Sequence, residues 1–85
     1  MSVSVIYKES SEHARAVIEF LHEFEKLTTH KLIEVNPDSR EGAEICRLYE
    51  IVEYPTVIAT TDDGQLRNMW QGSPLPTINE VSYYV

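Results

Sequence analysis

This chain has one cysteine, Cys46, in 85 residues. A single thiol excludes an internal disulfide, a Cys-x-x-Cys dithiol and a cysteine-based zinc knuckle. It suits a reducing compartment, so a cytoplasmic setting is expected. No apolar run approaches the roughly 20 residues of a membrane helix, and no basic stretch followed by an apolar one marks a signal peptide. Bases are scarce, with 7 Lys and Arg against 14 Asp and Glu for a formal net charge of −7. Nucleic acid and anionic membranes need a phosphate-neutralising basic surface and are not expected as partners. The acidity accounts for solubility, and it is also the complement of a basic protein partner. His13, His22 and His30 lack metal-ligand spacing, so neither a metal nor a cofactor is expected. Linkers, repeats and low-complexity segments are absent, which leaves one domain over residues 1–85.

An ordinary hydrophobic content of 42% remains, and its pattern is regular. Val3 to Tyr7 reads as a first strand. Val17, Phe20, Leu21 and Phe24 then recur at helical spacing, and Leu27 extends the same face. Ser10 or Ser11 is the expected cap of this helix, with Glu12 near its positive end; His22 falls on the solvent side. Lys31 to Val35 reads as a second strand. Asn36-Pro37 is the expected start of a second helix running towards Val52, with Gly42, Ile45, Cys46 and Tyr49 inward and Gly42 a weak point. Val57-Ile58-Ala59 and Leu66 to Trp70 flank an Asp62-Asp63-Gly64 hairpin signal, and Gly72 closes the second of these strands. Thr77-x-x-Glu80 is a capping box for a terminal helix with Ile78, Val81 and either Tyr84 or Val85 inward.

The most informative segment is Glu53-Tyr54-Pro55-Thr56. A proline cannot donate to a sheet ladder, so Pro55 belongs at the mouth of a strand. With Tyr49 and Ile51 before it and Gly64 and Gly72 after it, the segment resembles the C-terminal half of the thioredoxin and glutaredoxin superfamily. The resemblance implies an α/β, thioredoxin-like fold of order β-α-β-α-β-β-α. It implies a mixed four-stranded sheet with the first strand in its interior and helices on both faces. It further implies a cis Tyr54–Pro55 bond and a place in cell redox homeostasis. Laid on the family pattern, Ser10 and His13 occupy the two cysteine positions. The scaffold is therefore expected without its dithiol, and disulfide exchange needs a thiolate and a resolving thiol.

Ser10 and His13 stand three residues apart, so their side chains can meet. A nucleophile–base pair also needs an orienting group and an oxyanion hole, and neither is visible. The simpler reading makes Ser10 a cap and His13 a half-buried packing residue, with no catalytic residue. Cys46 reads as a small buried core residue and Lys8 as a solvated charge. Trp70 reads as core or as an exposed residue near the hairpin, and one of Tyr83 and Tyr84 must lie on the surface. In the family, the backbone before the cis proline pairs with an extended peptide or with glutathione. That function needs main-chain groups alone. Tyr54, Pro55, Thr56 and Gly72 are accordingly the expected peptide-binding residues, on one rim with Ser10 and His13. The function expected is a redox-inactive binding or adaptor domain. The alternative is an atypical glutathione- or thiol-linked redox protein acting with a partner's cysteine.

Overall fold

The computed structural model describes residues 1–85. The elements in chain order are β1 (Ser2–Ile6), α1 (Ala14–Thr28), β2 (Ile33–Val35), α2 (Arg40–Leu48), β3 (Thr56–Thr60), β4 (Leu66–Gln71) and α3 (Ile78–Ser82). The sheet runs β2-β1-β3-β4, so β1 lies in its interior. β1 is parallel to β2 and antiparallel to β3, which is antiparallel to β4.

Strand alternation sorts the apolar residues onto two faces. Val3, Val5 and Tyr7, with Val57 and Ala59, meet Ala14, Val17 and Phe24 of α1 and Val81 of α3. The intervening Ile6 and Ile58 pack with Ile51 and with Ile45, Cys46 and Met69 on the opposite face. One sheet therefore carries two cores, with α1 and α3 over the larger and α2 over the smaller.

Several element ends differ from the sequence reading. α1 begins at Ala14, after His13, and no side chain caps it. Ser10 and Ser11 precede it in a turn, where the Ser11 Oγ donates to the Lys8 carbonyl at 2.6 Å, and Glu12 is outside the first helical turn. The Ser11 hydroxyl is occupied by the turn and is not free to cap. Leu27 is 62% exposed; it lies about 80° around the helix from Val17 at 3.6 residues per turn, off the buried stripe. β2 is also shorter than the five residues read for it, although Leu32 just before it is buried.

α2 is capped by Ser39, not Asn36, and its Oγ accepts from the Gly42 N–H at 2.9 Å. Asn36 forms a separate turn instead: its side-chain oxygen accepts from the Asp38 N–H at 2.9 Å, and its carbonyl accepts from the Ser39 hydroxyl at 2.7 Å. Asparagine bonding its own backbone two residues on is the competing local structure. A Cβ on Gly42 would lie 1.8 Å from the Asn36 carbonyl oxygen. Gly42 is thus the position where α2 touches this turn, and not merely a weak helix residue. α2 ends at Leu48, before the apolar run does. Glu50 takes a positive φ of 55°, and the Ile51 N–H donates to the Cys46 carbonyl at 2.8 Å. Ile51 is thereby turned inward while Leu48 and Val52 face solvent.

The Tyr49 hydroxyl donates to the Gly64 carbonyl, tying the end of α2 to the β3–β4 hairpin. The capping box of α3 is present in both directions, between Thr77 and Glu80. Val81 is buried, Tyr84 is half-buried, and Tyr83 and Val85 are exposed.

Candidate functional site

Pro55 enters β3 from a cis Tyr54–Pro55 peptide; Ser73–Pro74 is cis as well. Pro55 and Thr56 are buried. The Thr56 hydroxyl donates to the Glu53 carbonyl at 2.6 Å, closing the turn from within. The Pro55 carbonyl accepts from the Gly72 N–H at 2.8 Å, so the end of β4 fixes the other side. Gly72 holds φ +72°, and a Cβ there would lie 2.6 Å from the Glu53 carboxylate. Both conditions favour glycine. Tyr54, Pro55, Thr56 and Gly72 thus form one local unit. The N–H and C=O of Tyr54 make no hydrogen bond within the chain.

Two separate segments brace the Tyr54 side chain, and a third braces Lys8. The Lys8 ammonium stands 5.3 Å from its centroid, within cation–π range. Lys8 also faces Asp38 of the turn before α2, at 3.9 Å. The Tyr54 hydroxyl donates to the Cys46 Sγ at 3.9 Å. Burial, followed by the Cys46 contact, raises the Tyr54 phenol above its usual range. Lys8 is therefore part of this arrangement rather than an isolated solvated charge. Cys46 is half-buried against Tyr54, where the sequence reading put it fully inside.

Ser10 and His13 do not pair. Ser10 is exposed, and its hydroxyl makes no hydrogen bond. The half-buried His13 turns back on its own loop, where Nε2 accepts from the Lys8 N–H at 3.3 Å. His13 and Ser11 thus grip the backbone of Lys8 from its N–H and C=O sides. The β1–α1 loop thus holds a lysine over Tyr54. Sequence spacing puts Lys8, Asp38, Cys46 and Tyr54 in four different segments, and no local signal joins them.

The chemistry available is main-chain pairing at Tyr54, flanked by one cation and by the Glu53 and Asp38 carboxylates. No cluster of three or more His, Cys, Asp or Glu side chains gathers where a metal ion could be held. No helix is long and apolar enough to cross a membrane.

No family model matches the chain, and no curated protein matches it. Among solved structures it is similar to thioredoxin 1 from the thermophilic eubacterium Thermosipho africanus TCF52B. The TM-score is 0.67 at 13% identity, over 99% of this chain and 89% of that one. Identity at this level speaks for the fold alone. With the mixed four-stranded sheet, its interior first strand and its helices on both faces, the fold is thioredoxin-like.

Proposed function

We propose that this chain is a redox-inactive thioredoxin-like binding domain, an adaptor that recognises extended protein or peptide segments at Tyr54, Pro55, Thr56 and Gly72. The observation that carries this reading is the unpaired main chain of Tyr54, a half-buried residue that precedes the buried Pro55 and whose ring is braced by Lys8. An extended segment laid beside it gains two main-chain hydrogen bonds without reorganising the site. Redox inactivity rests on Ser10 and His13 standing where two sulfurs would be needed. The net charge of −7 favours basic segments over acidic ones, and a reducing, cytoplasmic setting suits the single free thiol.

The test is an amide-resolved NMR titration of the labelled chain with short extended peptides, one series lysine-containing and one glutamate-containing. Shifts centred on Tyr54, Thr56 and Gly72, larger for the basic series, are expected. Their absence in both series sinks the proposal. Reduction of hydroxyethyl disulfide with glutathione is expected to stay at background.

Cys46 favours a second reading, an atypical thiol-linked protein acting with a partner's cysteine. Its half-buried Sγ lies against Tyr54, beside the proposed binding rim. Mass analysis after exposure to oxidised glutathione separates the two. Rapid native gain of one glutathione at Cys46 supports the second reading, and slow gain that needs unfolding supports the first.

A further inference from the structure

The end of the molecule formed by β4 and α3 carries an arrangement that peptide pairing at Tyr54 does not use. Asn68 and Trp70 alternate onto one face of β4, where they meet Asn79, Glu80, Tyr83 and Tyr84. Together they line an open cleft of about 400 Å³. Its aromatic rings stand at steep angles to one another. Trp70 and Tyr84 meet edge to face, with centroids 5.7 Å apart and planes at 74°. Tyr83 and Tyr84 do the same at 5.0 Å and 80°. Asn68 Nδ2 donates to the Tyr84 hydroxyl at 3.2 Å, which fixes the shared ring. Tyr83 is 79% exposed.

Glu80 supplies the charge. Its Oε1 accepts from the Thr77 N–H at 3.0 Å in the capping box. Bonds from the Thr77 backbone and hydroxyl, with a smaller contribution from the Trp70 indole, lower its carboxyl below the ordinary glutamate range. The carboxylate is therefore ionised at neutral pH.

We propose that Trp70, Tyr83, Tyr84 and Glu80 form a binding site for an organic ammonium group carrying alkyl substituents. Aromatic faces attract such cations through the ring quadrupole. Only the ring faces attract the cation, since the edges are positive; rings at steep angles to one another do not form the single open platform that a flat sugar calls for. The carboxylate and the net charge of −7 add attraction of the same sign. The ammonium could come from a free solute or from a methylated lysine side chain of a partner, and the test has an arm for each.

Trp70 is the only tryptophan, so its fluorescence reports on this cleft directly. The chain is titrated at constant ionic strength with choline chloride and, in parallel, with dimethylbutanol, in which carbon replaces the charged nitrogen. A saturable change with choline and none with its uncharged isostere is expected. Tyr83→Ala, whose ring is exposed and leaves the core intact, should weaken choline about two- to fivefold. Glu80→Gln, which keeps an acceptor for the cap, should weaken it as well. No saturable change, an equal response to dimethylbutanol, a larger response to a neutral sugar, or unchanged affinity in Tyr83→Ala overturns the proposal. A short trimethyllysine peptide then tells the sources apart: tighter binding than choline assigns the group to a protein partner, weaker or equal binding to a free solute.

Discussion

Replacing a helix-interior glycine by alanine ordinarily stabilises a protein by about 1 kcal/mol. Gly42→Ala is expected to do the opposite. Gly42 lies in the first turn of α2 and is buried. The new methyl would stand 1.8 Å from the Asn36 carbonyl oxygen, 2.7 Å from its carbon and 2.8 Å from the Ser39 Oγ. Two of these atoms are backbone, so no side-chain rotation relieves the clash. Either α2 moves away from the Asn36–Ser39 turn, or the turn opens. Both routes disrupt the Ser39 cap, a loss of about 1 kcal/mol. Displacing a packed helix adds about 1–3 kcal/mol. Set against the propensity gain, the net effect is a destabilisation of about 2 kcal/mol, which is large for a domain whose total is of order 5–15 kcal/mol. Urea denaturation measures it, and a fall of about 10 °C in the melting temperature should accompany it. Ala43→Gly is the control: one residue further on, it should show the ordinary helical cost of about 1 kcal/mol. Because α2 also carries Cys46, its thiol should become more reactive in Gly42→Ala. A variant as stable as the parent, or more so, would refute the close approach of α2 to Asn36.

Gly72→Ala should cost about 1–2 kcal/mol in the same assay, since φ is +72° and the Glu53 carboxylate occupies the Cβ space; Glu53→Ala should recover only the steric part. The Tyr7 phenol is buried and donates to Glu34 at 2.7 Å, which pushes its pKa up to about 12. The folded chain therefore keeps a proton that the unfolded chain releases near 10, and stability should fall as pH rises from about 10 to about 12. Tyr7→Phe should flatten that fall in alkaline urea titrations, and an unchanged slope would remove Tyr7 as its source. Native labelling of Cys46 by a thiol reagent should be measurable but slow, and Tyr54→Ala should speed it several-fold by uncovering Sγ; equal rates would show that Tyr54 does not shield it.

The fold was legible because the sheet divides its residues by simple alternation. Val3 and Val5 against Ile6, or Val57 and Ala59 against Ile58, are the patterns that a sheet covered on both faces requires. The capping box at Thr77 was equally plain, since both of its bonds span three residues. Element ends were less legible, because short-range bonds of similar strength compete there. Asn36 can cap a helix or bond the Asp38 N–H, and Ser11 can cap α1 or bond Lys8. In each case the turn prevails. Gly42 marks the limit of propensity as a guide. Its cost to the helix is written in the residue type, whereas its necessity depends on a carbonyl six positions earlier that only the folded chain brings near.

The site divides along the same line. Tyr54, Pro55 and Thr56 adjoin in sequence, and Gly72 joins them through the register that pairs Thr56 with Gln71. Lys8, Asp38 and Cys46 converge on Tyr54 only because β1 lies inside the sheet and α2 packs over Ile6 and Ile58. A lone lysine or cysteine carries no pattern in sequence, which is why Lys8 reads as solvated and Cys46 as buried. The folded arrangement also ties the β1–α1 loop to Tyr54 through Lys8. Ser11 and His13 hold both polar groups of the Lys8 backbone, and the Lys8 side chain in turn covers the Tyr54 ring. If the loop serves to orient Lys8, then His13→Ala should weaken peptide binding at Tyr54 without touching any residue that contacts the peptide main chain. Lys8→Ala should weaken it to the same degree, and the double variant should be no worse than either alone. Additive losses would mean that His13 acts on its own, and the loop would then be a second contact surface rather than a support for the first.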